Sequence, residues 1–325
     1  MGSEKYWNAA IGLQDVDGLK PSRYLLDMVK ENIEGNIDIE EVAKRINNYY
    51  EEVDNLEKEK YEEADKVSVR IAELLCEDDF ELSSVELTNI HKKLFDGLMD
   101  NAGEYRNYDF TKKEWVLNND TVVYSSYEKI KENLDYDFSE EMKFSYENLS
   151  IDDYIKHLCK FISNIWQVHP FSEGNTRTTA LFLIKYLRTF GFDINYDVFC
   201  NNSWYFRNAL VRANYKNYDK NIYDDLSYLE KFLYNLLTNS NYELKNRYLH
   251  VDFINGDYLM KKNCSLEQQA ILNIIRIDSN ITQDEIALRI GKSIRSVKTY
   301  MSNMQKKGLI KRINGKRNGK WIMNI

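Results

Sequence analysis

Between positions 169 and 177 the chain reads HPFSEGNTR, which sets a histidine, a carboxylate, a glycine, an asparagine and an arginine close together. Each type suits one part of phosphate chemistry. His169 has the side chain whose ordinary pKa lets it take a proton near neutral pH. Glu173 can hold Mg²⁺, which favours a carboxylate plus substrate phosphates over an all-protein cage. Arg177 can grip phosphate oxygens with two N–H groups at once. Pro170, one of only 2 prolines, stiffens the turn after His169, and Ser172-Glu173-Gly174-Asn175 breaks regular structure. From Thr178 onward Ala180, Leu181, Ile184 and Leu187 recur at helical spacing, with Gly191 as the stop. A loop therefore opens into a helix whose first N–H groups are unpaired and whose dipole favours an anion. Together these groups suit attack by a hydroxyl on a nucleotide phosphate.

The order of these residues resembles the signature of the Fic (Fido) proteins, H-x-F-x-(D/E)-(A/G)-N-G-(K/R)-x-x-R, matched at His169, Phe171, Glu173, Gly174, Asn175 and Arg177. Members typically transfer AMP from Mg·ATP to a Ser, Thr or Tyr hydroxyl of a protein. The resemblance implies His169 as catalytic base, Phe171 as anchor of the loop and Glu173 as metal ligand. It implies an anion hole at Gly174, Asn175 and Thr176, with Arg177 on phosphate, and ATP and Mg²⁺ as cofactors. A protein with a modifiable hydroxyl, this chain with its 24 tyrosines included, would be the partner. Two positions depart from the pattern: Thr176 replaces the second glycine, and Ala180 stands where the last arginine is expected. In the family that arginine helps orient the γ-phosphate, and in autoinhibited members it pairs with an inhibitory glutamate.

The flanking elements fit an enzyme of this kind. Few glycines and prolines among many Leu, Ile, Lys, Glu and Tyr point to a mainly α protein. Three regions are expected: an antitoxin-like helical region at 1–60, a Fic core at 61–245 and a winged helix-turn-helix domain at 255–325. In the first, Ser22 caps a helix carrying Leu25, Leu26, Met28, Val29 and Ile33, and a further helix runs from about Ile39 to Glu59. The layout is similar to the small antitoxin that inhibits some Fic enzymes, whose motif is (S/T)-x-x-x-E-(G/N). Leu13, Asp17 and Gly18 give one degenerate match, and Lys30, Glu34 and Gly35 a competing one. With Asp17 shorter than glutamate and Ala180 in place of its partner, weak autoinhibition is expected.

In the core, Ala102-Gly103-Glu104-Tyr105-Arg106 resembles the family's A-G-x-Y-R turn. β-prone runs around Asn118-Asn119-Asp120 predict a short hairpin, which in the family is a flap that docks the target by strand pairing, here through Trp115, Val116 and Leu117. Tyr205 and Asn208 fall where the family places part of its adenine pocket. His91, His157 and His250 read as ordinary helical or linker residues. Cys76, Cys159, Cys200 and Cys264 lack metal-ligand spacing and are expected to be free thiols. No stretch approaches the roughly 18 uncharged apolar residues of a membrane span, and no basic-then-apolar leader is present, so a cytoplasmic protein without membrane contact is expected.

The charge changes sign near the end. From Ile281 to Ile325 there are 11 Lys+Arg against 2 Asp+Glu, whereas the remainder has 33 against 50. Helices at Leu266–Arg276, Thr282–Gly291 and after Ser293, followed by Asn314-Gly315 and Asn318-Gly319, resemble a winged helix-turn-helix. Its third helix would offer Arg295, Ser296, Lys298 and Thr299 to DNA, with Lys316 and Arg317 on the wing. Two function classes are open: an AMP transferase, with Ala180 leaving room for another phosphate-linked donor, and a DNA-binding regulator whose Fic site is a nucleotide sensor or pseudoenzyme.

Overall fold

Oxygen-bearing side chains mark where most of the helices begin. The computed structural model describes residues 4–254, 265–313 and 319–323. After α1 (Glu4–Gly12) and a 3₁₀ turn at Leu13–Asp17, Ser22 accepts from the Leu25 N–H and opens α2 (Arg23–Ile33). Asp38 and Asp54 do the same for α3 (Ile39–Glu52) and α4 (Asn55–Cys76), and Ser83 for α5 (Ser84–Phe95). Beyond α6 (Ile130–Lys143), Ser150 caps α7 (Ile151–Val168). Each such cap satisfies an N–H that a helix start would otherwise leave open. The helix expected over 39–59 is two helices: Val53 is extended (ψ 161°) and Asp54 caps a new start.

Position 60 falls inside α4, so this helix belongs both to the first sixty residues and to the core region after them. The two regions also share one hydrophobic core, in which Trp7, Leu13, Val42 and Ile46 join Phe95, Phe171 and Leu181. At the junction the buried Asp65 on α4 accepts from the Ser22 N–H (2.7 Å) and the Tyr50 hydroxyl (2.7 Å), as well as from the Ser22 hydroxyl. Its charge is thus met by three donors, which a carboxylate out of water requires. At the centre of this unit runs α8 (Asn175–Thr189), buried on all sides from Asn175 to Leu187. It is followed by α9 (Tyr196–Ala213) and α10 (Ser227–Thr238).

Between α5 and α6 the backbone makes no strand ladder. The Glu114 N–H donates to Asp120 O (2.9 Å), and a 3₁₀ turn at Trp115–Leu117 closes the tip. Asn118 and Asn119 do adopt the left-handed conformation that a hairpin turn needs (φ 59° and 67°). The flanking residues nevertheless turn inward: Val116 and Leu117 are 0% and 1% exposed. Burial of these two side chains outweighs the strand register that alternation around the turn predicts.

The chain divides into two compact units, Met1–Val251 and Asp252–Ile325. The second has its own core of Ile271, Leu272, Ile275, Ile286, Val297, Met301 and Trp321. Capping boxes at Ser265/Gln268 and Thr282/Glu285 open α11 (Leu266–Ile277) and α12 (Gln283–Ile290), and Ser293 caps α13 (Ile294–Lys306). Strands β1 (Ile310–Ile313) and β2 (Lys320–Met323) pair antiparallel, Arg312 opposite Trp321. Trp321 ties the pair to the helices through its backbone N–H to Ser279 O (2.8 Å) and its indole N–H to Ile281 O (3.2 Å).

Candidate active site

Helix α7 ends at His169, which takes the left-handed conformation (φ 50°, ψ 59°) and so turns the chain out of the helix. Few residues other than glycine adopt it, and such positions cluster at functional sites. The strained turn is held from outside. Arg106, buried, donates from Nε to His169 O (2.9 Å) and from Nη2 to Val168 O (3.3 Å), while its own N–H reaches Pro170 O (2.8 Å). The same guanidinium binds Tyr108 O (2.7 Å) and Ser125 O, so one side chain fixes the loop and both ends of the 108–125 segment.

The His169 ring is buried, with Tyr124 stacked on it at 4.1 Å and Trp166 edge-on at 5.2 Å. Nδ1 faces Trp166 O at 3.3 Å. A carbonyl only accepts, so Nδ1 carries the proton and Nε2 presents a buried lone pair that has no partner among the described residues. Burial first, and then the Lys112 ammonium with help from Arg106 and Arg207, holds the imidazole well below its ordinary pKa. The result is a neutral base at physiological pH.

Beyond His169 the loop is shaped by its own side chains. Asn175 closes it by accepting from the Phe171 N–H (3.0 Å) and donating to Phe171 O (2.7 Å). Phe171 stacks on His91 at 3.8 Å. His91 is not the ordinary helical residue that the sequence suggests. Its Nδ1 accepts from the Gly103 N–H (2.9 Å), so Nε2 is the donor to Glu173 O (3.1 Å). Burial lowers its pKa to about 4. Gly174 (φ 72°) begins α8 with no capping side chain, which leaves the N–H groups of Asn175, Thr176 and Arg177 facing the loop. A Cβ at Gly174 would lie 2.3 Å from a ring carbon of Phe95. Thr176, where the signature has glycine, accepts the Trp166 indole N–H (3.0 Å). Ala180 is buried in the core and supplies no charge.

Glu173 is 57% exposed at the mouth of this loop, and Lys112 Nζ lies 2.8 Å from its Oε2. Among the described residues no group of three or more His, Cys, Asp or Glu side chains could enclose a metal. A single exposed carboxylate beside an uncapped helix start fits a hard cation that arrives with phosphate oxygens.

Arg177 does not reach outward. It is 2% exposed and held on three sides: Nε lies 2.9 Å from Asp17 Oδ2, Nη2 2.6 Å from Glu63 Oε1 and Nη1 3.1 Å from Gln14 Oε1. Asp17 thus lies within ion-pair distance of an arginine, Arg177 rather than the one missing at 180. Glu34, the competing candidate, lies just past the end of α2, where it pairs with Lys30 and accepts from the Asn36 side-chain amide (3.1 Å).

The nucleobase candidates are buried. Tyr205 is buried and lies parallel to Phe232, and Asn208 donates to Asn246 (2.8 Å). One residue earlier on the same helix, Trp204 and Arg207 line a cavity of about 490 Å³ with Asp15, Val16, Asp17 and Gly18. Arg207 also makes a two-pronged pair with the buried Glu114 (2.6 and 2.9 Å). Of the expected flap residues, Val116 and Leu117 are core, and Trp115 is half-buried against His250 at 5.0 Å. The pattern of apolar residues gives a helix but not its rotation, which packing of Phe199, Phe206 and Phe232 decides here. His157 is held by the buried Glu141 (2.7 Å) and is not isolated.

In the second unit Arg295, Lys298, Thr299, Ser302, Asn303 and Lys306 line a groove of about 550 Å³ on α13. Val297, Met301 and Met304 occupy its inner face. Lys316 and Arg317 lie outside the described residues. No described helix is long and apolar enough to cross a membrane.

Residues 81–187 match the Fic/DOC family, and residues 268–311 match the winged helix-turn-helix DNA-binding family. The chain thus carries a Fic/DOC domain followed by a winged helix-turn-helix. Solved structures similar to it include the N-terminal FIC domain of Bep8 from Bartonella sp. 1-1C, at 20% identity and a TM-score of 0.46 over 57% of this chain and 88% of that one. A Fic family protein from Desulfovibrio desulfuricans G20 aligns at 12% identity and a TM-score of 0.45 over 98% and 86%. BepC from Bartonella tribocorum, solved with bound AMPPNP, aligns at 16% and 0.40 over 51% and 81%. No curated protein matches the chain.

Proposed function

We propose that the protein is an adenylyltransferase that moves AMP from ATP to a Tyr, Thr or Ser hydroxyl of a protein. The observation that carries the reading is the buried, unpartnered Nε2 lone pair of His169 beside the uncapped start of α8. In this reading Nε2 takes the proton of the incoming hydroxyl as its oxygen attacks the α-phosphorus, and pyrophosphate leaves. Mg²⁺ held by Glu173 would neutralise phosphate charge. The N–H groups of Asn175 and Thr176 stabilise the phosphate oxygens without having to reorganise, because Asn175 and Arg106 already fix the loop. Trp204 and Arg207, rather than Tyr205 and Asn208, face the space for the rest of the donor.

Residues 1–60 act as a regulatory region in the same proposal, since Asp17 and Gln14 occupy the arginine that would bind phosphate. That occupation also supports a second reading, in which the site senses nucleotide and the winged helix-turn-helix binds DNA as the main activity. Incubation with α-labelled ATP and Mg²⁺ separates the two. Label on protein that is lost in His169→Ala supports transfer. Absence of label with every nucleoside triphosphate tried, in an Asp17→Ala background as well, favours the sensor.

A further inference from the structure

The carboxylate best placed to hold a metal already has a cation. Lys112 Nζ sits 2.8 Å from Glu173 Oε2, although 61 residues separate the two in the chain. The lysine is placed rather than swung in by chance. Its backbone N–H donates to Thr121 Oγ1 (3.2 Å), and its ammonium lies 5.8 Å from the ring of Phe110, which in turn lies 5.6 Å from the ring of His169. Its side chain is 26% exposed, so it faces both the loop and solvent.

We propose that Lys112 is the resident counter-ion of Glu173 and exchanges that carboxylate for the phosphates of the donor, so that metal and nucleotide enter the site together. The proposal rests on the reading of Glu173 as metal ligand. An ammonium and a divalent ion compete for the same carboxylate oxygens, and a metal arriving alone must displace the lysine and then sit beside its charge. A nucleotide changes the balance, because its phosphates give the ammonium other anionic oxygens within reach of a flexible stem. Among the described residues the other cations around the loop are committed elsewhere: Arg177 to Asp17 and Glu63, Arg207 to Glu114, and Arg106 to backbone carbonyls. With Ala180 uncharged, Lys112 is the described cation placed to make this exchange.

The test is binding by the full chain, not turnover. Mn²⁺ affinity without nucleotide, measured from the free-ion electron paramagnetic resonance signal, should rise about fivefold in Lys112→Met, the scale of a part-exposed ion pair, and stay at the wild-type value in Lys112→Arg. Affinity for AMPPNP in the presence of a chelator should fall by a similar factor in Lys112→Met. Mn²⁺ affinity of Lys112→Met within twofold of wild type or beyond detection, or unchanged metal-free AMPPNP affinity, overturns the exchange. Glu173→Gln is the separate arm: placed in the Lys112→Met background and measured without nucleotide, it should abolish the gain in Mn²⁺ binding. Retention of the Lys112→Met Mn²⁺ affinity there removes the metal assignment, and with it the proposal.

Discussion

His169 and His91 are both kept neutral by burial, for different purposes. In His169 neutrality leaves the Nε2 lone pair available, and in His91 it lets one ring accept from Gly103 and donate to Glu173. The cost appears in acid. For His91 the pKa of about 4 lies below the ordinary 6.5, so the unfolded chain binds the proton first as pH falls. Its contribution to stability is whole above pH 6.5 and is lost down to pH 4, by roughly 3 kcal/mol at about 1.4 kcal/mol per pH unit. Melting temperatures from pH 7.5 to 4.5 should therefore fall less steeply in His91→Gln than in the wild type, even if the variant starts lower. Parallel curves would show that the ring does not set the acid limit. Gly174→Ala tests the loop from the other side. A Cβ there meets Phe95 at 2.3 Å and sits at φ 72°, so urea unfolding should report a loss of about 2–3 kcal/mol. The motif residues were legible because proton transfer and phosphate binding need particular side chains in consecutive positions. His91 and Lys112 were not, since they reach the loop from 82 and 61 residues away and nothing local marks them, and Arg106 was read only as the end of a turn.

At the scale of elements, helix starts were the most legible feature, because Ser22, Ser293 and Thr282 cap by a local hydrogen bond that sequence spacing states directly. Helix rotation and segment docking depend on distant partners, so neither the burial of Tyr205 and Asn208 nor the ion pair of Asp17 with Arg177 is written in local spacing. The docking of the first turn is tight. A Cβ at Gly12 would stand 2.5 Å from Cys200 Cα, where α1 crosses α9, and the Ser203 hydroxyl donates to Gly12 O (2.6 Å). If the 13–18 segment restrains Arg177, two unlike changes should release it. Asp17→Ala removes one anion from a buried guanidinium and should raise label transfer about tenfold, the equivalent of roughly 1.4 kcal/mol. Gly12→Val pushes α1 away from α9 and should raise transfer while lowering the melting temperature. Unchanged rates in both, with His169→Ala inactive, would mean that the segment is a structural cap and Glu63 alone holds Arg177.

For the whole molecule the decisive quantity is where the charge lies. The chain is net −8, which taken alone argues against DNA, yet 11 of its 44 basic residues and only 2 of its 52 acidic ones fall after position 280. Attraction to a phosphate backbone depends on the local surface within a Debye length, about 8 Å at physiological salt, so the end of the chain can bind what the rest repels. The exposed face of α13 carries Arg295, Lys298 and Lys306 over an inner face of Val297, Met301 and Met304, so these cations can be removed without disturbing the core. Removing a cation that pairs with one phosphate should reduce the slope of log affinity against log salt by about 1, uniformly across DNA sequences. Lys298→Ala and Lys306→Ala in the full chain should therefore flatten the salt dependence of duplex binding stepwise. A residue on a base edge behaves differently, and Arg295→Ala, near the start of the helix, should relax sequence preference at one position more than it changes the slope. Affinity that is insensitive to salt, or unmoved by all three changes, would assign the α13 face to a protein partner instead. Label transfer measured on the same variants then decides whether the two units are coupled: a rate that changes with added duplex in the wild type but not in Lys298→Ala requires it, and a rate indifferent to duplex in both makes the winged helix-turn-helix an address rather than a switch.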